Sequence, residues 1–171
     1  MKNYKVLITT SGVGSRLGEL TSYTNKCLIR VGKKPAISYI IESYPNDTKF
    51  VITLGYYGKH VKDFLELAYP NKNFTFVEID NYEGEGSSLG YSLLKTKKYL
   101  QQPFIFHASD TIINEKVDAP TSNWIGVCEK INHSQYRTVG TDTNLKIFEK
   151  GELGSKLAYI GLAGINDYQN F

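Results

Sequence analysis

The sequence is poor in the features that would carry a chain across a membrane or hold it together by cross-links. Only two of its 171 residues are cysteine, Cys27 and Cys128, and no C-x-x-C spacing accompanies them. That excludes a disulfide-built scaffold and a structural zinc site, and both thiols read as reduced. No stretch approaches the roughly 20 consecutive apolar residues that a membrane span needs. Residues 1–10 read as a short strand, without the apolar core or small-residue cleavage site of a secretory signal. The expectation is a soluble, cytoplasmic protein. A polybasic run is also missing, and a formal net charge of +3 is too small to argue for nucleic acid. Neither nucleic acid nor a membrane is therefore an expected partner. There is no internal repeat and no low-complexity linker. With 41% hydrophobic and 22% charged residues, the chain has the composition of one globular domain spanning residues 1–171. The 13 Tyr and 8 Phe read as core and strand filling.

What is present is an alternation of two hydrophobic periods. Val6-Leu7-Ile8 is a short apolar run that ends in small and polar residues, a buried strand entering a loop. Pro35 is expected to open a helix at its first position, and Ile37, Ile40, Ile41 and Tyr44 supply one apolar face before Pro45 and Asn46 end it. A strand over 50–54 follows, then a helix carrying Val61, Phe64, Leu65 and Ala68 and stopped by Pro70. A strand over 74–79, a polar loop over 80–88, a helix bearing Leu89, Leu93, Leu94 and Leu100, and a strand at Phe104-Ile105-Phe106 ending near Asp110 complete the pattern. This β-α-β-α-β-α-β order predicts a mostly parallel sheet with helices on both faces. Ligands bind such sheets outside the carboxyl ends of the strands. Beyond Asp110 the segments 124–128, 136–140, 145–149 and 157–165 read as strands with short connections, a mixed or antiparallel addition.

The loop after the first strand carries the chemistry. Glycines at 12 and 14 let backbone N–H groups approach an anion closely. Five cations follow (Arg16, Lys26, Arg30, Lys33 and Lys34), opposed only by Glu19. A triphosphate carries about four charges, and cations with backbone N–H groups are what it needs. Two familiar phosphate loops do not fit. Gly32-Lys33-Lys34-Pro35 lacks the rest of a P-loop, and the dinucleotide fingerprint would place its third glycine at Leu17. Lys33 and Lys34 read as a solvated face, and Tyr56 and Tyr57 as loop packing.

Gly12-Val13-Gly14-Ser15-Arg16-Leu17, Thr21, Lys26 and Lys34-Pro35 together resemble the signature of the sugar-phosphate nucleotidyltransferases, the nucleotide-sugar pyrophosphorylases. The similarity continues in Leu54-Gly55-Tyr56, Gly86-Ser87-Ser88, Asp110, Glu149-Lys150 and Ile160-Gly161-Leu162. The resemblance implies a three-layer, Rossmann-like (GT-A-like) α/β fold with a mixed, mostly parallel sheet. It implies transfer of NMP from an NTP to a sugar 1-phosphate, with release of pyrophosphate and formation of an NDP-sugar, as in the nucleotide-sugar biosynthesis that supplies cell-surface polysaccharide. Arg16 would bind the departing phosphates and Lys26 would neutralise the α-phosphate and the acceptor phosphate. Ser11, Gly12, Val13, Gly14, Ser15, Gly86 and Ser87 would contact the nucleotide. Glu149 and Lys150, with Gly140, would hold the substrate, and Asp110 would bind Mg²⁺. A homo-oligomer is left open.

The sequence also departs from that pattern. Where the family often reads the base with Gln, this chain has Asn81, a shorter amide that can still pair with a pyrimidine edge or can simply close an Asx turn. A pyrimidine NTP is expected over a purine. Ser109 replaces the family's Gly before the metal Asp. His107, three residues before Asp110, reads as a hydrogen-bonded structural residue. Glu149-Lys150 also fits a solvated hairpin end. A second acidic metal ligand is expected downstream, and Asp167 sits too early to match it. The chain stops six residues after the apolar run 159–165, so the expectation is either a domain truncated at its C-terminus or one that binds substrates without full activity. Two alternatives remain: a CTP-dependent cytidylyltransferase acting on a phosphocholine- or phosphonate-like acceptor, and a non-catalytic nucleotide-sugar-binding regulatory domain.

Overall fold

In the computed structural model, which describes residues 4–129, 135–140, 146–152 and 155–171, the first strand, β1 (Lys5–Thr9), is buried on both sides. Val6 and Ile8 enter one hydrophobic cluster and Leu7 enters another, as the two-residue period of a strand requires. Residues 1–3 of the expected strand lie outside the described residues. Two 3-10 turns follow, Ser15–Thr21 and Lys26–Leu28. A small hairpin of β2 (Arg30–Val31) and β3 (Lys34–Pro35) then turns at Gly32 with φ +62°. This hairpin, which the sequence reading did not anticipate, makes Pro35 the N-cap of α1 (Ala36–Glu42) and not its first helical residue. The chain continues through β4 (Lys49–Leu54), α2 (Gly58–Ala68), β5 (Asn73–Glu78), α3 (Leu89–Thr96) and β6 (Phe104–Ala108). It ends with β7 (Trp124–Glu129), β8 (Thr138–Gly140), β9 (Lys146–Phe148) and β10 (Leu157–Ile165). Leu145, expected at the start of the strand now seen as β9, lies outside the described residues.

The strand order is β5-β4-β1-β6-β10-β8-β9, with β7 also paired to β10. β5, β4, β1 and β6 are parallel to one another. β10 runs antiparallel to β6, β7 and β8. The expected three-layer mixed sheet is therefore present. Ile37, Ile40, Ile41, Val61 and Leu65 of α1 and α2 pack on one face, against Val6, Ile8, Phe50, Ile52, Leu54 and Ile105. Tyr91 and Leu93 of α3 cover the other, against Leu7, Val51, Phe104 and Phe106. From β1 the chain moves outward to β4 and β5, then returns to place β6 on the opposite side of β1. The gap between the carboxyl ends of β1 and β6 is thus the switch point at which open sheets of this kind take ligands.

Two helix patterns differ from the sequence reading. Tyr44 is buried, but α1 already ends at Glu42. In α3 the leucines Leu89 and Leu94 are exposed while Ser92 and Thr96 are buried, and Leu100 comes after a further 3-10 turn (Lys97–Tyr99). The reason is local: Ser92 borders a polar cleft, and Thr96, in the last turn, is buried with its hydroxyl donating to the Leu93 carbonyl. No helix among the described residues is long and apolar enough to cross a membrane.

Phe50 anchors the larger cluster, with 0% exposure and ring neighbours Tyr44 at 5.9 Å and Phe74 at 5.6 Å. Phe50→Ala is expected to cost about 3–5 kcal/mol in urea unfolding. A loss below about 1 kcal/mol would contradict this packing.

Candidate active site

Thr10, directly after β1, is fully buried. Its N–H donates to Thr53 Oγ1 at 3.0 Å, and its hydroxyl donates to the Thr53 carbonyl. Ser11 Oγ lies 3.2 Å from Ser92 Oγ of α3, and the Ser11 carbonyl accepts from Tyr56 N–H at 2.9 Å. A Cβ on Gly55 would fall 2.6 Å from that carbonyl, so the loops after β1 and β4 approach this closely only because residue 55 is glycine. Gly12 then faces open space. Gly14 has φ +72°, and a Cβ there would lie 3.1 Å from Lys26 Cβ and 3.2 Å from Thr21 Cγ2. The loop is therefore moulded against the turn that carries Lys26.

Lys26 Nζ stands 2.9 Å from Asp110 Oδ2, joining the turn after β1 to the end of β6. Burial acts to raise the Asp110 pKa, but the Lys26 ammonium, with its hydrogen bond, and the nearby Arg16 outweigh it and hold the carboxyl below its ordinary range. His107 lies beneath this pair, wholly buried. Its Nδ1 is 2.8 Å from Tyr44 Oη and its Nε2 is 2.9 Å from the Thr111 carbonyl. A carbonyl only accepts, so Nε2 carries the proton and Nδ1 accepts from the tyrosine. Burial pushes the His107 pKa down. Both ring nitrogens are thus engaged: Nε2 holds the turn after Asp110, and Nδ1 ties β6 to Tyr44 beyond the end of α1.

Two chambers open at this edge, of about 400 Å³ and about 890 Å³. They share Arg16, Lys26, Ala108 and Asp110 and form one cleft. Ser11, Gly12, Ser87, Ser88, Tyr82 and Ser92 line the smaller chamber. Gly14, Lys150, Arg137, Tyr136, Tyr159 and Gly161 line the larger. Of the residues singled out in the sequence, Arg16, Lys26 and Asp110 therefore meet at the common wall. Val13, Ser15, Asn81, Gly86, Gly140 and Glu149 line neither chamber. Asn81 Nδ2 donates to the Glu85 carbonyl at 3.1 Å and shapes the loop in which Gly86 has φ +80°. Gly140 packs on Phe148, whose ring would be 3.1 Å from an added Cβ. Glu149 Oε2 accepts from Arg137 Nε at 2.9 Å, so it braces the larger chamber from behind.

The sequence reading missed Arg137, Tyr159, Tyr82 and Asn25. The first three carry no motif. Asn25 could have been suspected, because it is the polar residue next to the signature lysine. Among the described residues no cluster of three or more His, Cys, Asp or Glu could hold a metal ion. Asp110 offers one hard oxygen ligand at the cleft, a donor set that fits Mg²⁺ only when phosphate oxygens and water complete the shell.

Removing Lys26 takes away the cation nearest Asp110. In Lys26→Ala, Asp110 is expected to titrate at higher pH than in the wild type, followed by carbon-13 NMR of its carboxyl carbon. Because the folded pKa is depressed below the unfolded value of about 3.9, the pair's contribution to stability is present above that pH. It is lost as pH falls through the folded pKa. An unchanged Asp110 titration would show that the pair does not form in solution.

No protein-family model matches the chain. Over 89 residues the chain is 32% identical to a Bacillus subtilis (strain 168) protein described as "probable glucose-1-phosphate cytidylyltransferase". That match covers 50% of this chain and 34% of the relative, so the chain spans about a third of the curated relative's length. Among solved structures it resembles a UDP-glucose pyrophosphorylase from Acinetobacter baumanii, at a TM-score of 0.77 and 15% identity, covering 96% of this chain and 74% of that one. The inositol-1-phosphate CTP transferase from T. maritima matches at 0.73 and 17% identity, over 99% and 74%. The CTP:phosphocholine cytidylyltransferase from Streptococcus pneumoniae matches at 0.68 and 21% identity, over 98% and 74%. The chain has the nucleotidyltransferase fold that these sugar- and alcohol-phosphate enzymes share.

Proposed function

We propose that the chain is the nucleotidyltransferase domain of an enzyme that joins NMP from an NTP to a sugar 1-phosphate. The observation that carries this reading is the meeting of Arg16, Lys26 and Asp110 at the wall between two chambers of one cleft. The smaller chamber takes the nucleotide and the larger takes the acceptor. An oxygen of the acceptor phosphate attacks the α-phosphorus of the NTP. The bond from that phosphorus to the bridging oxygen breaks, and pyrophosphate leaves with the electron pair. The attacking oxygen is already anionic, so no general base is needed. The barrier is repulsion and alignment between two polyanions.

Arg16 and the Gly12 loop N–H groups stabilise the departing pyrophosphate. Lys26 bridges donor and acceptor phosphates, and an incoming phosphate competes with Asp110 for its ammonium. Lys150 and Arg137 orient the acceptor. Asp110, with substrate phosphate oxygens, would hold Mg²⁺, which when bound supplies further neutralisation of phosphate charge. The likeness to the Bacillus subtilis protein makes CTP and glucose 1-phosphate the first pair to test.

The test incubates the protein with each NTP, Mg²⁺ and a panel of phosphorylated sugars and alcohols, and measures pyrophosphate. Release with a hexose 1-phosphate is expected, most strongly with a pyrimidine NTP. Release only with CTP and a phospho-alcohol would replace the sugar acceptor by a non-sugar one. Nucleotide binding without release would favour a regulatory domain. In an active protein, Arg16→Ala and Lys26→Ala should each lower kcat/KM by roughly 10²–10³-fold, the size of a lost transition-state donor.

A further inference from the structure

Asn25 is fully buried between the two 3-10 turns, and its amide is saturated by three backbone groups from three separate segments. Nδ2 donates to the Thr10 carbonyl at 2.6 Å and to the Tyr56 carbonyl at 2.6 Å. Oδ1 accepts from Cys27 N–H at 3.0 Å and caps the turn Lys26–Leu28. The first contact fixes the end of β1 just before the Gly12 loop. The second fixes the loop after β4. The third fixes the turn whose first residue is Lys26. No other short side chain offers two N–H donors and an acceptor at this reach. Aspartate would set a carboxylate against two carbonyls, and alanine would leave the buried carbonyls short of partners.

Asn25 lines neither chamber, and its polar atoms are occupied by protein groups. Its effect must therefore pass through its neighbour. Lys26 packs against Gly14 so tightly that a Cβ on Gly14 would lie 3.1 Å from Lys26 Cβ, and Lys26 Nζ meets Asp110 at 2.9 Å. A shift of the turn by a fraction of an ångström would disturb both contacts. We propose that Asn25 is a positioning residue that sets the Lys26 ammonium at the wall between the chambers and registers the Gly12 loop against it. For its effect on turnover this inference rests on the function proposed above. For the placement of Lys26 it stands on geometry alone.

The experiment separates the two. Reductive methylation with carbon-13 formaldehyde gives each lysine an NMR resonance and keeps its charge, and the Lys26 signal is identified by its loss in Lys26→Arg. Pairing with Asp110 displaces this signal, and Asp110→Asn gives the position of the unpaired ammonium. Asn25→Ala is expected to move the Lys26 signal to that unpaired position. Val61→Ala, a cavity in the core under α2, is expected to lower Tm comparably and leave the signal in place. If Asn25→Ala does not fold, Asn25→Ser, whose hydroxyl can still accept from Cys27 N–H, carries the same comparison. A Lys26 signal unmoved by the Asn25 substitution would overturn the proposal. Where the wild type releases pyrophosphate, the same variant should lose roughly tenfold or more in kcat, within the hundredfold that a misplacement of about 1 Å can cost. Nucleotide KM should change much less, and Val61→Ala should leave kcat as it is. A wild type without turnover defeats the proposed function and leaves the resonance test standing.

Discussion

Two opposite charges 84 positions apart in the chain, Lys26 and Asp110, meet at 2.9 Å, and the cleft is organised around that meeting. It depends on β1 and β6 being parallel neighbours in register, with Lys5 opposite Phe104 and Thr9 opposite Ala108. Both strands leave the sheet side by side at the same edge, one towards Lys26 and the other into Asp110. The pair does little for the stability of the fold. Its carboxylate side chain is 51% exposed, and surface pairs of this kind are worth about 0–1 kcal/mol. Under the function proposed above, its importance would lie in placing a cation and a hard oxygen ligand where a phosphate can compete for one and a metal ion can take the other.

Below that pair lies a polar floor in a position where a sheet protein usually has aliphatic side chains. Thr10, Ser11, Asn25, Thr53 and Ser92 are all buried. They answer one another's hydrogen bonds, joining the segment after β1 to Thr53 of β4 and Ser92 of α3. A buried polar group left without a partner is costly, and a saturated network admits few alternative arrangements. The floor therefore trades hydrophobic burial for definition of the loop above it. Gly14 and Gly55 belong to the same device, because the backbones they carry come too close for a side chain.

The fold was legible in the sequence wherever a strand was buried on both faces or a helix kept one clean apolar stripe. β1, β4 and β6 meet the first condition, and α1 meets the second through Ile37, Ile40 and Ile41. Legibility failed where the cleft itself set the pattern. In α3 the buried positions are Ser92 and Thr96, so the leucines mislead. The hairpin of β2 and β3 is too short to carry any period. Arg16 and Lys26 at the common wall were legible because one short N-terminal signature holds both. Arg137 and Tyr159 reach the larger chamber only through strand pairing late in the chain, which no local spacing encodes. Asn81, the expected base-contact position, donates to the Glu85 carbonyl within its own loop.

The antiparallel addition completes the larger chamber by bending. β10 pairs with β6 through Leu162–Ile165, with β8 at Ala158, and with β7 through Leu157–Tyr159 and again at Ala163 and Gly164, with a register shift between Tyr159 and Ala163. Gly161 sits in that shift at φ +77°, where a Cβ would fall 2.8 Å from Ala108 Cβ. The bend lets Tyr159 and Ile160 line the chamber beside Asp110. It also brings β8 and β9 round, so that Arg137 comes to the lining with Glu149 behind it. Each chamber wall then holds one cation already matched by a carboxylate, Lys26 by Asp110 and Arg137 by Glu149. Among the described residues Arg16 and Lys150 form no ion pair, and both face the cleft. A phosphate that engages a matched cation must compete with an existing carboxylate partner, so its gain there is smaller than at an unmatched one. Under the function proposed above, the unmatched pair would supply the first attraction for a phosphate, and the matched pair would supply geometry once the anion has arrived.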